Sequence, residues 1–285
     1  MARGISGCGI LLADVVKATS AWSAGSSGGP IAGPRHRLPP GLYAQTSLSM
    51  KFHRPADARG HVRTDWLDSH HSFSFGHFHD PEWMGFGALR VINEDRVAPG
   101  GGFPPHGHAN MEILSYVLGG ALAHEDNSGG TGVLRAGELQ WMGAGHGIEH
   151  SEFNASADAP VHFLQIWIQP DRVNLSPGHA QQAFAGEDRR GRWATLVSPD
   201  GRDGSLAIRQ QATLQGAWLG AGEQVEATLL PERRYWLQIA RGAVTVDGER
   251  LVAGDALGWV DTSTTLVLEG AGDDVADLLL FTLPR

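Results

Sequence analysis

From residue 86 onward, short apolar stretches alternate with Gly, Asn and Asp at close intervals. The first half contains "FGALRVINED", "MEILSYVLGGALAHED", "GVLRAGELQWMGAG" and "VHFLQIWIQP"; the second contains "GSLAIRQQATL", "YWLQIARGAVTV" and "TTLVLEG". Val, Ile, Leu, Tyr and Trp dominate these stretches, the residues that suit a pleated, half-buried surface. Apolar runs of roughly 5–8 residues bounded by turn formers read as strands. Long helical periodicity is hard to place anywhere; short helices are expected at most near residues 80–85 and 177–190. The pattern predicts an all-β protein.

The two halves also resemble each other. "EILSYVLGGALAHEDNSGGTGVLRAGELQWMGAG" and "YWLQIARGAVTVDGERLVAGDALGWVD" each run strand, Gly, strand, turn, and then "AGELQW" or "AGDALGW". Such self-similarity predicts a duplicated unit and two β-barrels or sandwiches in tandem. The division is expected in the polar, turn-rich "DRVNLSPGHAQQAFAGEDRRGR", giving a first domain over residues 50–176 and a second over 177–285. Residues 1–49 differ from the rest. Their "SAWSAGSSGGPIAGPRHRLPPG" favours flexibility over packing. They are expected to be a disordered extension, or the result of a start assigned too far upstream, with Met50 the true first residue.

Composition narrows the function. At 41% hydrophobic and 19% charged the chain is globular, and its net charge of −9 argues against nucleic acid as a direct partner. No apolar run is long enough to cross a membrane as a helix. The single cysteine, Cys8, excludes a disulfide framework and a cysteine-rich zinc site. A reducing, cytoplasmic setting is expected, and any metal must be held by His and carboxylate.

All fourteen histidines lie at or before His179, so ligand chemistry belongs to the first half. In "GGFPPHGHANMEILSYVLGG", His106 and His108 are two residues apart. Residues i and i+2 of a strand share a face, with alpha-carbons about 6–7 Å apart, so both imidazoles can reach one ion. "GHGIEHSEFN" repeats the geometry with His150 and Glu152. Two adjacent strands bearing these pairs would offer three imidazoles and one carboxylate.

The spacing carries a resemblance. Gly100, His106, His108, Glu112 and Gly119 fall at the intervals of the first cupin motif. The second motif fits less closely: Gly137 is followed by Gly143 where Pro is usual, and His150 comes two residues late, while Asn154 closes it. With "WLDSHHSFSFGHFHDPEWMGFGALRVINEDRVAPGGGF" and "GIEHSEFN", these departures make residues 51–285 resemble the pirin family, in particular its bacterial members. The resemblance implies a bicupin, two tandem jelly-roll barrels, with metal in the first alone. It implies one divalent transition metal per chain on His106, His108, His150 and Glu152. Iron is the first expectation, with manganese, cobalt, nickel, copper or zinc as alternatives. Glu112, the usual cupin ligand, and His124 are expected behind the ligands rather than on the metal.

The resemblance also implies chemistry. Bacterial pirin-like proteins are associated with quercetin 2,3-dioxygenase activity, so the expected substrates are a planar flavonol and O2. Glu152 would be the catalytic base for the 3-hydroxyl proton, and ring opening would release carbon monoxide. The alternative is a metal-containing regulator that binds protein partners, with flavonol cleavage incidental. Trp141, Met142, Phe103, Met111 and Trp167 could wall a pocket for a flat ligand, or simply form barrel core.

Overall fold

Strand follows strand along the chain. The structure, a computed structural model, describes residues 49–184 and 186–285. The extension expected over residues 1–49 lies outside these described residues, apart from Ser49. Among them are 22 strands, three short 3₁₀ turns and no α-helix.

In chain order the first twelve strands are β1 (Met50–Arg54), β2 (Gly60–Arg63), β3 (Leu67–His71), β4 (Leu89–Val97), β5 (Gly102–His108), β6 (Glu112–Gly119), β7 (Ala121–Asp126), β8 (Thr131–Arg135), β9 (Glu138–Gly143), β10 (Ile148–Asn154), β11 (Val161–Ile168) and β12 (Gly178–Ala183). The remainder are β13 (Ala194–Ser198), β14 (Leu206–Ala207), β15 (Thr213–Leu219), β16 (Gln224–Leu229), β17 (Arg233–Arg241), β18 (Ala243–Val246), β19 (Glu249–Val252), β20 (Ala256–Val260), β21 (Thr264–Gly270) and β22 (Ala276–Pro284).

They form two copies of one architecture, a seven-stranded sheet paired with a four-stranded sheet. The first barrel has the orders β12-β9-β6-β11-β4-β3-β2 and β5-β10-β7-β8. The second has β1-β20-β17-β22-β15-β13-β14 and β16-β21-β18-β19. Of the short helices expected near 80–85 and 177–190, only a 3₁₀ turn at Gly186–Arg189 forms among the described residues. Residues 80–83 make a turn closed by Trp83 N–H donating to Asp80 C=O, and Gly178–Ala183 is a strand along β9. "PGHAQQAFAG", short polar residues between turn formers, carries no apolar stripe by which to tell an edge strand from a helix. Pairing also crosses the division expected at residue 176: β1 joins the second barrel through β20, and β12 joins the first through β9. Each barrel therefore holds a strand from the other half of the chain.

Period-2 alternation sorts the side chains of β6. Ile113, Ser115 and Val117 point into the first barrel, while Leu114, Tyr116 and Leu118 join the core shared by the two large sheets. That shared core also takes Ile166 and Leu164 from β11 and Trp236, Leu279 and Phe281 from the second barrel. Its polar centre is a fully buried Arg189, which donates to Tyr116 Oη at 2.6 Å while Tyr116 Oη donates to Asp277 Oδ2 at 2.6 Å. The guanidinium also lies 4.4 Å over the Trp218 ring.

Candidate metal centre

β5 is an edge strand, and only an edge tolerates Pro104 and Pro105, which cannot donate to a ladder. Its pairing with β10 sets His106 directly opposite His150 and His108 opposite Ile148, then slips so that Phe103 faces Glu152. Directly opposed residues share a face, so all three imidazoles turn into the first barrel. Their ring centroids lie 4.4–4.9 Å apart, with planes inclined by 51–81°. One ligand atom from each lies within 4.8 Å of the others.

The nitrogens are disposed for a metal. His106 Nδ1 donates to Pro104 C=O at 2.9 Å, which leaves Nε2 with its lone pair. His108 Nε2 and His150 Nε2 are buried without a hydrogen-bond partner, an arrangement native proteins rarely leave without a reason. Burial, reinforced by the neighbouring imidazoles, depresses His108 to about 3 and His150 to about 2. Both rings are neutral at physiological pH, the form that ligates. These residues fit a divalent transition ion.

Glu152 sits beside this triad. Its carboxyl groups with His150 and His124 in an adjoining set of candidate ligand atoms. Gln165 Nε2 donates to Glu152 Oε2 at 2.8 Å, and Ser115 Oγ donates to Oε1 at 3.0 Å. Burial pushes the carboxyl up, opposed by nearby His124 and His106 and by those two hydrogen bonds. His124 lies directly behind His150, Nδ1 to Nδ1 at 3.4 Å. Glu112 is elsewhere. β5 ends at His108, Asn110 takes a positive φ, and β6 starts with Glu112 on the face that leaves the barrel. There it accepts from Trp141 Nε1 at 2.7 Å and from the Arg209 backbone N–H at 3.0 Å, tying the two barrels together.

Of the aromatic and sulfur-bearing residues singled out from the sequence, Met111, Met142 and Trp167 gather with Ile113 and Ile148 against the triad, Trp167 edge-on to His108 at 4.9 Å. Trp141 turns to the inter-barrel core, and Phe103 packs on Trp66 at the other end. Sequence reasoning missed Ser115, Gln165, Asp95 and Asp126. The signal for the first two was a polar residue at an inward position of an otherwise apolar strand, "EILSYVL" and "VHFLQIWI". Another group, His61, Asp68 and His70, lies on the outer face of β2 and β3. Its imidazoles stack in parallel at 4.2 Å and 12°, with His61 Nε2 and His70 Nδ1 facing Asp68 Oδ1 at 2.9 and 3.6 Å.

The comparisons place the chain in a family. Residues 53–168 match the family model described as Pirin, and residues 195–283 match the quercetinase C-terminal cupin domain. A protein named quercetin 2,3-dioxygenase from Escherichia coli strain K12 is 42% identical over 235 residues, 82% of this chain and 99% of that protein. A pirin-like protein of Caulobacter vibrioides is 42% identical over 221 residues, 76% of this chain and 95% of its own. The crystal structure of the Escherichia coli pirin YhhW in complex with nickel(II) superposes with a TM-score of 0.77 at 42% identity, covering 83% of this chain and all of that one. A donor cluster in the same fold as a nickel-bound pirin supports a metal ion here. With both barrels matched and relatives 42% identical over three quarters or more of the chain, the chain belongs to the pirin family.

Proposed function

We propose that this chain is a metal-dependent dioxygenase that opens the central ring of flavonols such as quercetin with O2 and releases carbon monoxide. The observation that carries the reading is the triad His106, His108 and His150, in which the Nε2 atoms of His108 and His150 are buried without a partner, supported by relatives that bear that enzyme's name. His106, His108 and His150 hold one divalent ion, with Glu152 as the fourth donor. Iron and nickel both suit imidazole with one carboxylate. When bound, such an ion would supply the Lewis acidity that lowers the pKa of a flavonol 3-hydroxyl and open positions for substrate and O2. The cytoplasm is the expected location, given the single Cys8.

The chain's own residues do the rest. Glu152 accepts the 3-hydroxyl proton on its carboxylate, and burial strengthens it as a base. Ser115 and Gln165 hold that carboxyl in one orientation. Met111, Met142 and Trp167 offer an apolar wall that excludes water and suits a flat aromatic. Neutral imidazoles keep positive charge from accumulating before the ion arrives.

The test is anaerobic titration of metal-loaded protein with quercetin, followed by O2. A shifted quercetin band that bleaches with carbon monoxide release, at about one ion per chain, supports the reading. Glu152→Gln should bind quercetin yet lose turnover. Loaded protein that neither shifts nor cleaves quercetin sinks the dioxygenase reading and leaves the regulator that binds protein partners.

A further inference from the structure

We infer that the turn between β7 and β8 decides which nitrogen of His150 faces the metal, acting through Asp126 and His124, and that Asp126 is therefore a positioning residue. The inference rests on the metal-centre reading above. It follows from counting donors and acceptors along a buried line.

Asp126 Oδ1 is filled from the turn: Ser128 N–H donates at 2.8 Å, Ser128 Oγ at 2.6 Å and Gly130 N–H at 3.0 Å. Its Oδ2 faces His124 Nε2 at 3.1 Å. Burial pulls this carboxyl upward, but hydrogen bonds from Ser128, His124 and Gly130 outweigh it and hold it below the usual range. An ionised carboxylate only accepts. His124 must therefore carry a hydrogen on Nε2, and in the neutral ring this leaves Nδ1 an acceptor. The group facing that acceptor is His150 Nδ1 at 3.4 Å, a long contact that still needs one hydrogen between the two nitrogens. The hydrogen sits on His150 Nδ1, and the lone pair remains on Nε2, toward His106 and His108.

Two further features make the line rigid. The His124 and Asp126 side chains are both 0% exposed, so no solvent substitutes for either. A Cβ on Gly130 would come within 2.1 Å of Asp126 Oδ2, so the glycine gives the carboxylate its space. Metal-binding histidines commonly donate their other nitrogen to a carboxylate or carbonyl, and losing that partner costs roughly 10–100-fold in metal affinity. Here a second imidazole stands between carboxylate and ligand, so a change at the turn reverses the tautomer of a residue two steps away.

Asp126→Asn makes the reversal. Three donors keep an oxygen at the Oδ1 position, so the amide nitrogen takes the place of Oδ2 and donates to His124 Nε2. His124 then carries its hydrogen on Nδ1, and that of His150 moves to Nε2, the ligand atom. Calorimetric titration of metal-free protein with nickel(II) should show affinity falling about 10–100-fold, with circular dichroism unchanged. In a His124→Phe background the same change should cost nothing more, because the line is already cut. Nitrogen-15 histidine spectra of the metal-free protein at pH 8 read the tautomer directly: His150 protonated on Nδ1 in the wild type, on Nε2 in Asp126→Asn. Wild-type His150 protonated on Nε2 would overturn the inference, and that measurement needs no variant to fold. Unchanged nickel affinity in Asp126→Asn, or an equal loss with and without His124, overturns it too. Wild-type protein that takes up no nickel defeats the metal-centre reading and the role of Asp126 with it, whatever the tautomer.

Discussion

In the first barrel His150 faces His106 and Glu152 faces His124; in the second, Leu266 faces Ala227 and Leu268 faces Val246. The strand pairings correspond, β5-β10-β7-β8 against β16-β21-β18-β19. The interiors do not. Inside the second barrel 18 buried apolar residues form one cluster. Inside the first the apolar residues split into groups of six and four at opposite ends. Ser69, His71, Asn93, Asp95, Ser115, Gln140 and Gln165 form a polar belt between them. Counting from the turn glycines Gly120 and Gly242, both at φ near +70°, Ser115 corresponds to Leu237 and His124 to Val246. Burying unpaired polar groups costs about 1–3 kcal/mol each. One frame thus carries two fillings, one suited to stability and one that keeps ligand atoms dry and unpartnered.

Exchanging residues between the fillings has the largest expected effect. His150→Leu puts the second barrel's residue at the first barrel's ligand position. Metal content should drop to background, and flavonol turnover should fall by well over the roughly 100-fold that a partner behind a ligand commands. The metal-free fold should gain about 1–2 kcal/mol in urea unfolding, since a buried nitrogen without a partner is gone. The reciprocal Leu266→His should lose about 1–3 kcal/mol and bind nothing. Metal retained by His150→Leu, or no penalty for Leu266→His, would break the comparison.

How much of this difference was legible in the sequence depends on the element. The all-β pattern, the duplication and the facing pairs His106/His108 and His150/Glu152 follow from period-2 spacing, which any strand obeys. Glu112 shows where spacing stops helping. Four residues after His108 it would share the ligand face of an unbroken strand, but a turn at Asn110 sends it to Trp141 and Arg209. The line through His124 and Asp126 depends on which strands are neighbours, β7 beside β10, and pairing order is not written in the alternation of one strand. β12 escaped for a related reason, since its polar sequence becomes a strand only because β9 offers it an edge.

Acid should separate the barrels next. Burial, with neighbouring imidazoles, lowers His108 to about 3 and His150 to about 2, below the roughly 6.5 of an unfolded chain. The unfolded state then binds more protons as pH falls, so this stability is complete above about 6.5 and declines by about 1.4 kcal/mol per pH unit and per residue below it. Two carboxyls in the same barrel act in the opposite sense. Burial raises both Glu152 and Asp95, so they oppose the histidines down to the ordinary carboxylate range. Below about pH 4 those two carboxyls are protonated folded or unfolded. Glu94, which His162 and Arg59 hold at about 2 against burial, and Asp126, held low by its turn hydrogen bonds, then add to the loss from the histidines. Metal-free protein should lose stability more steeply below about pH 4 than between pH 6.5 and 4.5. Amide exchange should open β5 and β10 before β16 and β21, which contain no histidine. Simultaneous opening of both barrels would mean that the polar filling does not set the weak point.

Asp95 carries the smallest and most selective effect. It lies on β4 in the polar belt, 4% exposed, with Oδ1 lacking a partner, and burial, with the Glu152 and Glu94 charges, lifts it to about 7. Its folded value lies above its unfolded one, so its stabilising contribution is complete below about 3.8 and is lost as pH rises through 7. Asp95→Asn removes the charge at nearly constant shape. Urea unfolding of the metal-free variant should gain about 1–3 kcal/mol at pH 8 and nothing below pH 4. With one of the two opposing carboxyls gone, the loss of stability from pH 6.5 to 4.5 should also steepen. A gain of equal size at every pH would show that Asp95 titrates alike folded and unfolded, so that burying its charge costs nothing. The belt would then differ from the leucines of the second barrel in hydrogen bonding alone, not in buried charge.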